Sequence, residues 1–470
     1  MQTLVLFRAS IVNCITEERY EIIRNGALVV DQTTGTIVDK GEYLSLRLHH
    51  RQVPITDLSE YVLTPGFIDT HAHLPQYGVT GMYGKRLIEW LTSCVFPAER
   101  QFGPSRANGL SPVFFRDLLA CGVTTAAINC SIQKESTRVV FEWARRTGIR
   151  AIIGKVMMDR NGPDYLLEKT EKSLRESDDL CREWHGVDNG RLLYAFAPRF
   201  APMCSAELMA ATATLARQRE AYIQTHLAES AAEIQWVREL FPEARNYTEV
   251  YSQRGLLGPK TVLAHCVHLS EEERTVLSAA ASGLSHCPTA DLFLGNGVMP
   301  LRECLDSGLR VGLGSDVGAG PTLCPFDLIR STIYSAGIRH TLTGVLKGGV
   351  SPTTAFYLAT LGGAKALSLD NKTGSLDVGK EADFVVINPR RLRSLPGESE
   401  SVDGASFLSR LLFLADPRFI ERTYVRGRIC YERNAPREWE PEVTAQGGRE
   451  FSKRSPRRLS KGVRATTKGE

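Results

Sequence analysis

The feature that most constrains this chain is a repeat. Eight times between about residues 64 and 370 an apolar, β-branched run gives way to a polar turn and, in most cases, to a longer amphipathic segment. The runs are FIDTHAH (67–73), VTTAAINC (123–130), RAIIGKVMMD (150–159), LLYAFAPRF (192–200), YIQTHLAE (222–229), TVLAHCVHL (261–269), SGLSHCP (282–288) and RVGLGSD (310–316). Helix-like stretches such as STRVVFEWARRTG (136–148) and SAELMAATATLARQR (205–219) lie between them. Strands that are apolar throughout and alternate with helices indicate a parallel sheet covered on both faces. Eight such units predict an α/β fold of the (β/α)8 TIM-like barrel type. An open, doubly wound sheet fits less well, because no glycine-rich nucleotide turn follows an early strand.

The two ends read differently. GALVVD and GTIVDKG near the start, and GSLDVGKEADFVVIN (374–388) and ERTYVRGRICYE (421–432) near the finish, are strand-like. The economical arrangement is a small β-sandwich domain formed from both chain ends, residues 1–63 and 371–434, with the barrel of residues 64–370 inserted. Residues 435–470 form a basic tail poor in aliphatics, which is not expected to order alone.

Charge and cysteine content narrow the class. The net +4 is carried by the tail: residues 451–470 hold seven Lys/Arg against one Glu, and the remainder is slightly acidic. A general nucleic-acid surface is therefore not expected. Eleven cysteines without CxxC spacing, mostly in apolar runs, suggest buried thiols in a reducing compartment. No signal peptide or membrane span is evident, so the expected setting is cytoplasmic.

Chemistry in a barrel of this kind sits at the C-terminal ends of the strands. His71 and His73 close the first run, Arg199 the fourth, His226 the fifth with Glu229 three residues on. His265 lies on the sixth, His286 on the seventh and Asp316 ends the eighth. Two residues apart on an extended chain, His71 and His73 leave the same face. With His226 and Asp316 they offer three nitrogens and one carboxylate oxygen, a set suited to zinc or another first-row divalent ion with a position open for water. Such an ion lowers the pKa of its water. Glu229 is then placed to move protons, His265 to hydrogen-bond the water or a developing oxyanion, and Asp316 to orient the attacking water. Singly, each has an ordinary explanation: His-x-His pairs are common, and a glutamate near a helix start is usually solvated. Asp69 is expected to fix its strand, His268 and His340 to be structural, and His286 to brace the site or merely pack.

The combination PGFIDTHAH, HLAE, AHCVHLS, HCPTADL and GLGSDV resembles the amidohydrolase superfamily. HAHLPQY, LIEWLTSCVFPAE, APRF, NYTEVY and LATLGGAKALSLD make the chain similar to the guanine deaminases within it, from about Leu4 to Tyr431. The resemblance implies one zinc per chain on His71, His73, His226 and Asp316, proton transfer by Glu229, and His265 beside the water. It places purine contacts on Gln76, Arg199 and Phe200, and implies hydrolytic deamination of guanine to xanthine and ammonia by a homodimer. Two departures touch the expected pocket wall: VGAGPTLCPF after Asp316 is less rich in Gly/Ser than expected, and Asp291 stands where asparagine is usual. Alternatives are another aminohydrolase acting on a different purine, pyrimidine or triazine, or a non-catalytic scaffold. A binuclear hydrolase is disfavoured because the fourth run offers no lysine to bridge two metals.

Overall fold

The computed structural model describes residues 3–83, 86–344, 349–392 and 404–435. The basic tail from residue 436 onward lies outside them, and with it the expectation that it does not order alone. The chain builds two sheets.

One sheet is an eight-stranded parallel barrel wall in chain order: Phe67–His73, Val123–Asn129, Arg150–Met157, Leu192–Pro198, Tyr222–Leu227, Thr261–His265, Gly283–His286 and Arg310–Leu313. Every residue of the first four strands is buried, as continuous apolar runs between two covered faces require. First and last strands meet at the mouth, where the Asp316 amide donates to the His71 carbonyl at 2.8 Å. The expected runs overshoot the strands: Arg199, Glu229 and Asp316 lie one to three residues beyond the last ladder residue. Helices Lys134–Thr147 and Ala206–Gln218 fall where the amphipathic segments predict them, the second capped by Ser205.

The barrel interior is packed, not hollow. Ile68, Ala127, Ile152, Leu193 and Val262 meet Ala364, Leu367 and Leu369, so helix Leu361–Ala366 and the turn after it plug the end opposite the active-site mouth. The plug sits so close that a Cβ on Gly283 would lie 2.0 Å from the Ala366 carbonyl oxygen.

The other sheet has seven strands from both chain ends, in the order Arg428–Glu432, Ile420–Val425, Phe384–Ile387, Ile55–Pro65, Leu4–Thr16, Arg19–Asp31, Thr36–Glu42. The ends join where Phe384–Ile387 runs antiparallel to Val62–Pro65. Phe384 stacks on Tyr424 with centroids 4.4 Å apart, and Phe7 meets both edge-on. The stretch 374–388 is less extended than its composition suggests. Only its last residues form a strand, because Gly374 and Gly379 turn the chain at φ +90° and +91°.

All eleven cysteines are free thiols, nine of them buried, as their apolar surroundings predict. No helix among the described residues is long and apolar enough to cross a membrane.

Candidate active site and metal centre

The first strand is not a regular ribbon. Its pairing with the second slips between Asp69 and Ala72, the kind of bulge that re-aims side chains beside active sites. Asp69 takes up the irregularity. Its carboxylate accepts from the Ser315 amide (2.9 Å), the Ser315 hydroxyl (2.5 Å) and the His71 amide (3.2 Å), tying the first strand to the loop after the eighth. The expectation that Asp69 fixes its strand agrees with these bonds.

His71 and His73 bring their Nε2 atoms to 3.1 Å of one another, and His73 Nε2 lies 3.1 Å from His226 Nε2. Asp316 Oδ1 is 3.4 Å from both His71 and His73 Nε2. Burial holds all three imidazoles below the usual histidine range, His73 and His226 well below it. The His226 Nδ1–H donates to the Arg199 carbonyl at 2.6 Å, leaving its Nε2 with a lone pair. Neutral rings whose lone pairs crowd one point beside a carboxylate are a poor mutual arrangement without a cation. A tetrahedral site with bonds of about 2.0–2.1 Å sets neighbouring donors roughly 3.3 Å apart, close to the separations here. The residues fit a single divalent ion.

Glu229 and His265 border this centre. Three of the chain segments leaving the strands pass through left-handed backbone there: Ala228 at φ 51°, His265 at φ 71° and Asp316 at φ 44°. Such conformations are costly for residues with a Cβ and cluster at functional sites. Glu229 Oε2 faces His265 Nε2 at 3.6 Å, and its Oε1 accepts from Asn296 Nδ2 at 2.8 Å. Burial pushes the Glu229 carboxyl up, with the facing His265 opposing the shift. Burial disfavours charge on His265 too, but the carboxylates of Glu229, Asp291 and Asp316 outweigh it and raise that ring.

Gln76 sits on the short helical turn Leu74–Val79 directly after the first strand, and Arg199 and Phe200 follow the fourth. Together with His73, His226, Glu229, His265 and Asp316 they line one cavity. Leu87, Trp90, Leu91, Leu294 and Ala319 supply its apolar walls. Leu87–Arg100 is a helical segment with a π turn at Leu91–Val95, an irregularity frequent at functional sites. The structure therefore gathers every predicted site residue around one cavity; His71 stands behind it, against the other ligand candidates.

His286 is buried at the end of the seventh strand, outside the lining, and neither ring nitrogen has a hydrogen-bond partner among the described residues. His268 packs away from the centre, its Nε2 bonded to the Asn296 carbonyl at 2.8 Å. Lys155, on the third strand, is buried against Glu168 and offers nothing to a second metal.

Four supporting residues escape sequence reasoning. Asp291 is not pocket wall; its Oδ1 accepts the His265 Nδ1–H at 2.9 Å and fixes that ring. Asn296 holds Glu229. Glu233 accepts from the Glu229 and Ser230 amides at 2.8 and 3.2 Å, and the Ser-x-x-Glu spacing of 230–233, a capping box, is the signal that could have found it. Glu99 bonds both Gln76 and Arg199.

The amidohydrolase family model matches residues 62–430. The chain is 42% identical over 420 residues to the guanine deaminase of Escherichia coli (strain K12), covering 88% of this chain and 92% of that protein. The chain belongs to the amidohydrolase family, among its guanine deaminases. The Homo sapiens guanine deaminase is 33% identical over 437 residues, with 90% of this chain and 96% of that one covered. The fold agrees with a crystal structure of the guanine deaminase from C. acetobutylicum with guanine bound in its active site. That match has a TM-score of 0.86 and 33% identity, covering 91% of this chain and all of the other. The amidohydrolase barrel expected from the sequence is thus present, together with a separate sheet built from both chain ends.

Proposed function

We propose that this chain hydrolytically deaminates guanine to xanthine and ammonia. The observation that carries the reading is the convergence of three neutral imidazole nitrogens and Asp316 on one side of a cavity whose polar residues also include Gln76, Arg199 and Glu229. His71, His73, His226 and Asp316 would hold one zinc ion. When bound, the ion supplies a water that ionises near neutral pH.

The protein's own groups do the rest. Arg199 donates to the purine carbonyl, Gln76 reads a ring edge, and Phe200 gives an apolar face for the ring. They bring the carbon bearing the exocyclic amine to the water. Glu229, a stronger base for being buried, accepts the water proton as a carboxylate and delivers it to the departing nitrogen. His265, its Nδ1–H committed to Asp291, turns Nε2 toward the reacting oxygen. Asp316 orients the water as it adds.

The same reading carries a cytoplasmic homodimer. An exposed apolar row, Tyr334, Ile338 and Leu342 at one-turn spacing on helix Pro325–Thr343, supports a partner surface. Light scattering on the purified chain tests it. For activity, a panel of guanine, adenine, cytosine and related amines is offered to metal-replete protein; ammonia from guanine is expected, and preference for another amine would transfer the reading to that substrate.

A further inference from the structure

The Leu87–Arg100 segment holds a buried carboxylate to which the mechanism above assigns nothing. Glu99 is 2% exposed, and its two oxygens are divided between two substrate-contact residues. Oε1 accepts from Gln76 Nε2 at 3.1 Å, and Oε2 accepts from Arg199 Nη1 at 2.6 Å. Phe96, one turn earlier on the same helix, lies against the Arg199 guanidinium, 5.4 Å from ring centroid to carbon. Both Gln76 and Arg199 line the cavity, and Glu99 does not.

We propose that Glu99 is a positioning residue that sets the polarity of the substrate edge this site reads. The inference rests on the guanine deaminase reading and extends it to specificity. A glutamine amide has a donor end and an acceptor end, and turning it over exchanges them. A carboxylate only accepts, so Glu99 captures the NH2 end of Gln76 and leaves the carbonyl oxygen, which takes no hydrogen bond from the described residues, for the ligand. Arg199 keeps its remaining N–H groups for the same ligand. The cavity thus presents a donor, Arg199, and an acceptor, Gln76. Their complement is a cyclic lactam, a carbonyl with a ring N–H beside it, as in the six-membered ring of guanine. A purine with an amine in place of that carbonyl presents the opposite polarity, and buried polar groups left unpaired reject a ligand strongly.

The test compares guanine with 2,6-diaminopurine, which keeps the amine to be removed and replaces the carbonyl by a second amine. Glu99→Gln has the same shape but no obligation to accept, so Gln76 is free to turn over. In that variant KM for guanine is expected to rise at least tenfold, with a smaller fall in kcat. The ratio of kcat/KM for guanine over diaminopurine should drop at least tenfold, metal content should stay unchanged, and Glu99→Asp should recover part of the ratio. A merely structural glutamate would lower both substrates alike. Gln76→Met, which leaves Glu99 on Arg199, should lower the ratio too and serves if Glu99→Gln does not fold. An active parent with the ratio unchanged in a folded variant overturns this inference alone. A metal-loaded parent inactive on guanine overturns the functional reading, and the inference with it.

Discussion

Gly318→Ala tests how tightly the loop after the eighth strand is built around Gln76. A Cβ at Gly318 would lie 2.5 Å from Gln76 Cβ and 2.8 Å from its Oε1, on a backbone at φ +119°. Carbon atoms in ordinary contact are about 3.5–4.0 Å apart, so Gln76 must retreat by about 1 Å. A displacement of that size in a positioning group costs roughly 100-fold in rate, equivalent to about 2.7 kcal/mol. The backbone adds about 1–3 kcal/mol of destabilisation of its own. Gly81→Ala separates the two, because Gly81 also has a positive φ, +82°, and a Cβ there meets nothing within 4 Å. Steady-state ammonia release from guanine, with metal content and melting temperature on the same samples, reads both. The expected result is a kcat/KM loss of roughly 100-fold in Gly318→Ala at full metal content, against less than about threefold in Gly81→Ala. Equal kcat/KM in the two variants would refute the contact between this loop and substrate binding.

Three further outcomes follow from named contacts. Glu229→Gln should lose about 10²–10⁴ in kcat while retaining metal, as expected of a proton-transfer group; parent-like turnover would remove it from that role. Asp291→Asn takes away one of the carboxylates that raise His265, so the alkaline limb of the pH–rate profile should move to lower pH, since a raised histidine stays charged until pH passes its pKa; an unmoved limb would mean that His265 does not set it. Glu168→Gln strands the fully buried Lys155, whose next carboxylate, on Glu176, is 3.9 Å away. Chemical denaturation should show a loss of about 3–5 kcal/mol, most of which should be recovered when Lys155→Met is added to Glu168→Gln so that no charge is left stranded.

What the sequence discloses and what it hides divide along physical lines. The barrel is legible because a strand covered on both faces must be apolar throughout, and eight such runs recur. Strand ends are less legible: Arg199, Glu229 and Asp316 continue extended-looking runs but sit in loops, and composition does not distinguish a paired extended residue from an unpaired one. The His/Asp cluster is legible because His71 and His73 obey the strand period, His226 lies at the end of another strand and Asp316 just past a third. Glu99, Asp291 and Asn296 are not, since each acts on a residue 23 to 100 positions away and no local pattern encodes such a contact. Asp291 illustrates the limit. Its identity marks it as unusual, but only the 2.9 Å bond to His265 places it behind the ring and not on the pocket wall.

In the function proposed above, His71, His73, His226 and Asp316 hold the one ion at which guanine is deaminated. The most direct test of this is metal content and ammonia release from guanine, measured on one preparation before and after chelation and again after zinc is restored. Close to one ion per chain is expected, with release of ammonia and xanthine in equal amount, loss of both on chelation, and recovery with zinc. Two ions per chain, or guanine left untouched by fully loaded protein, would contradict it.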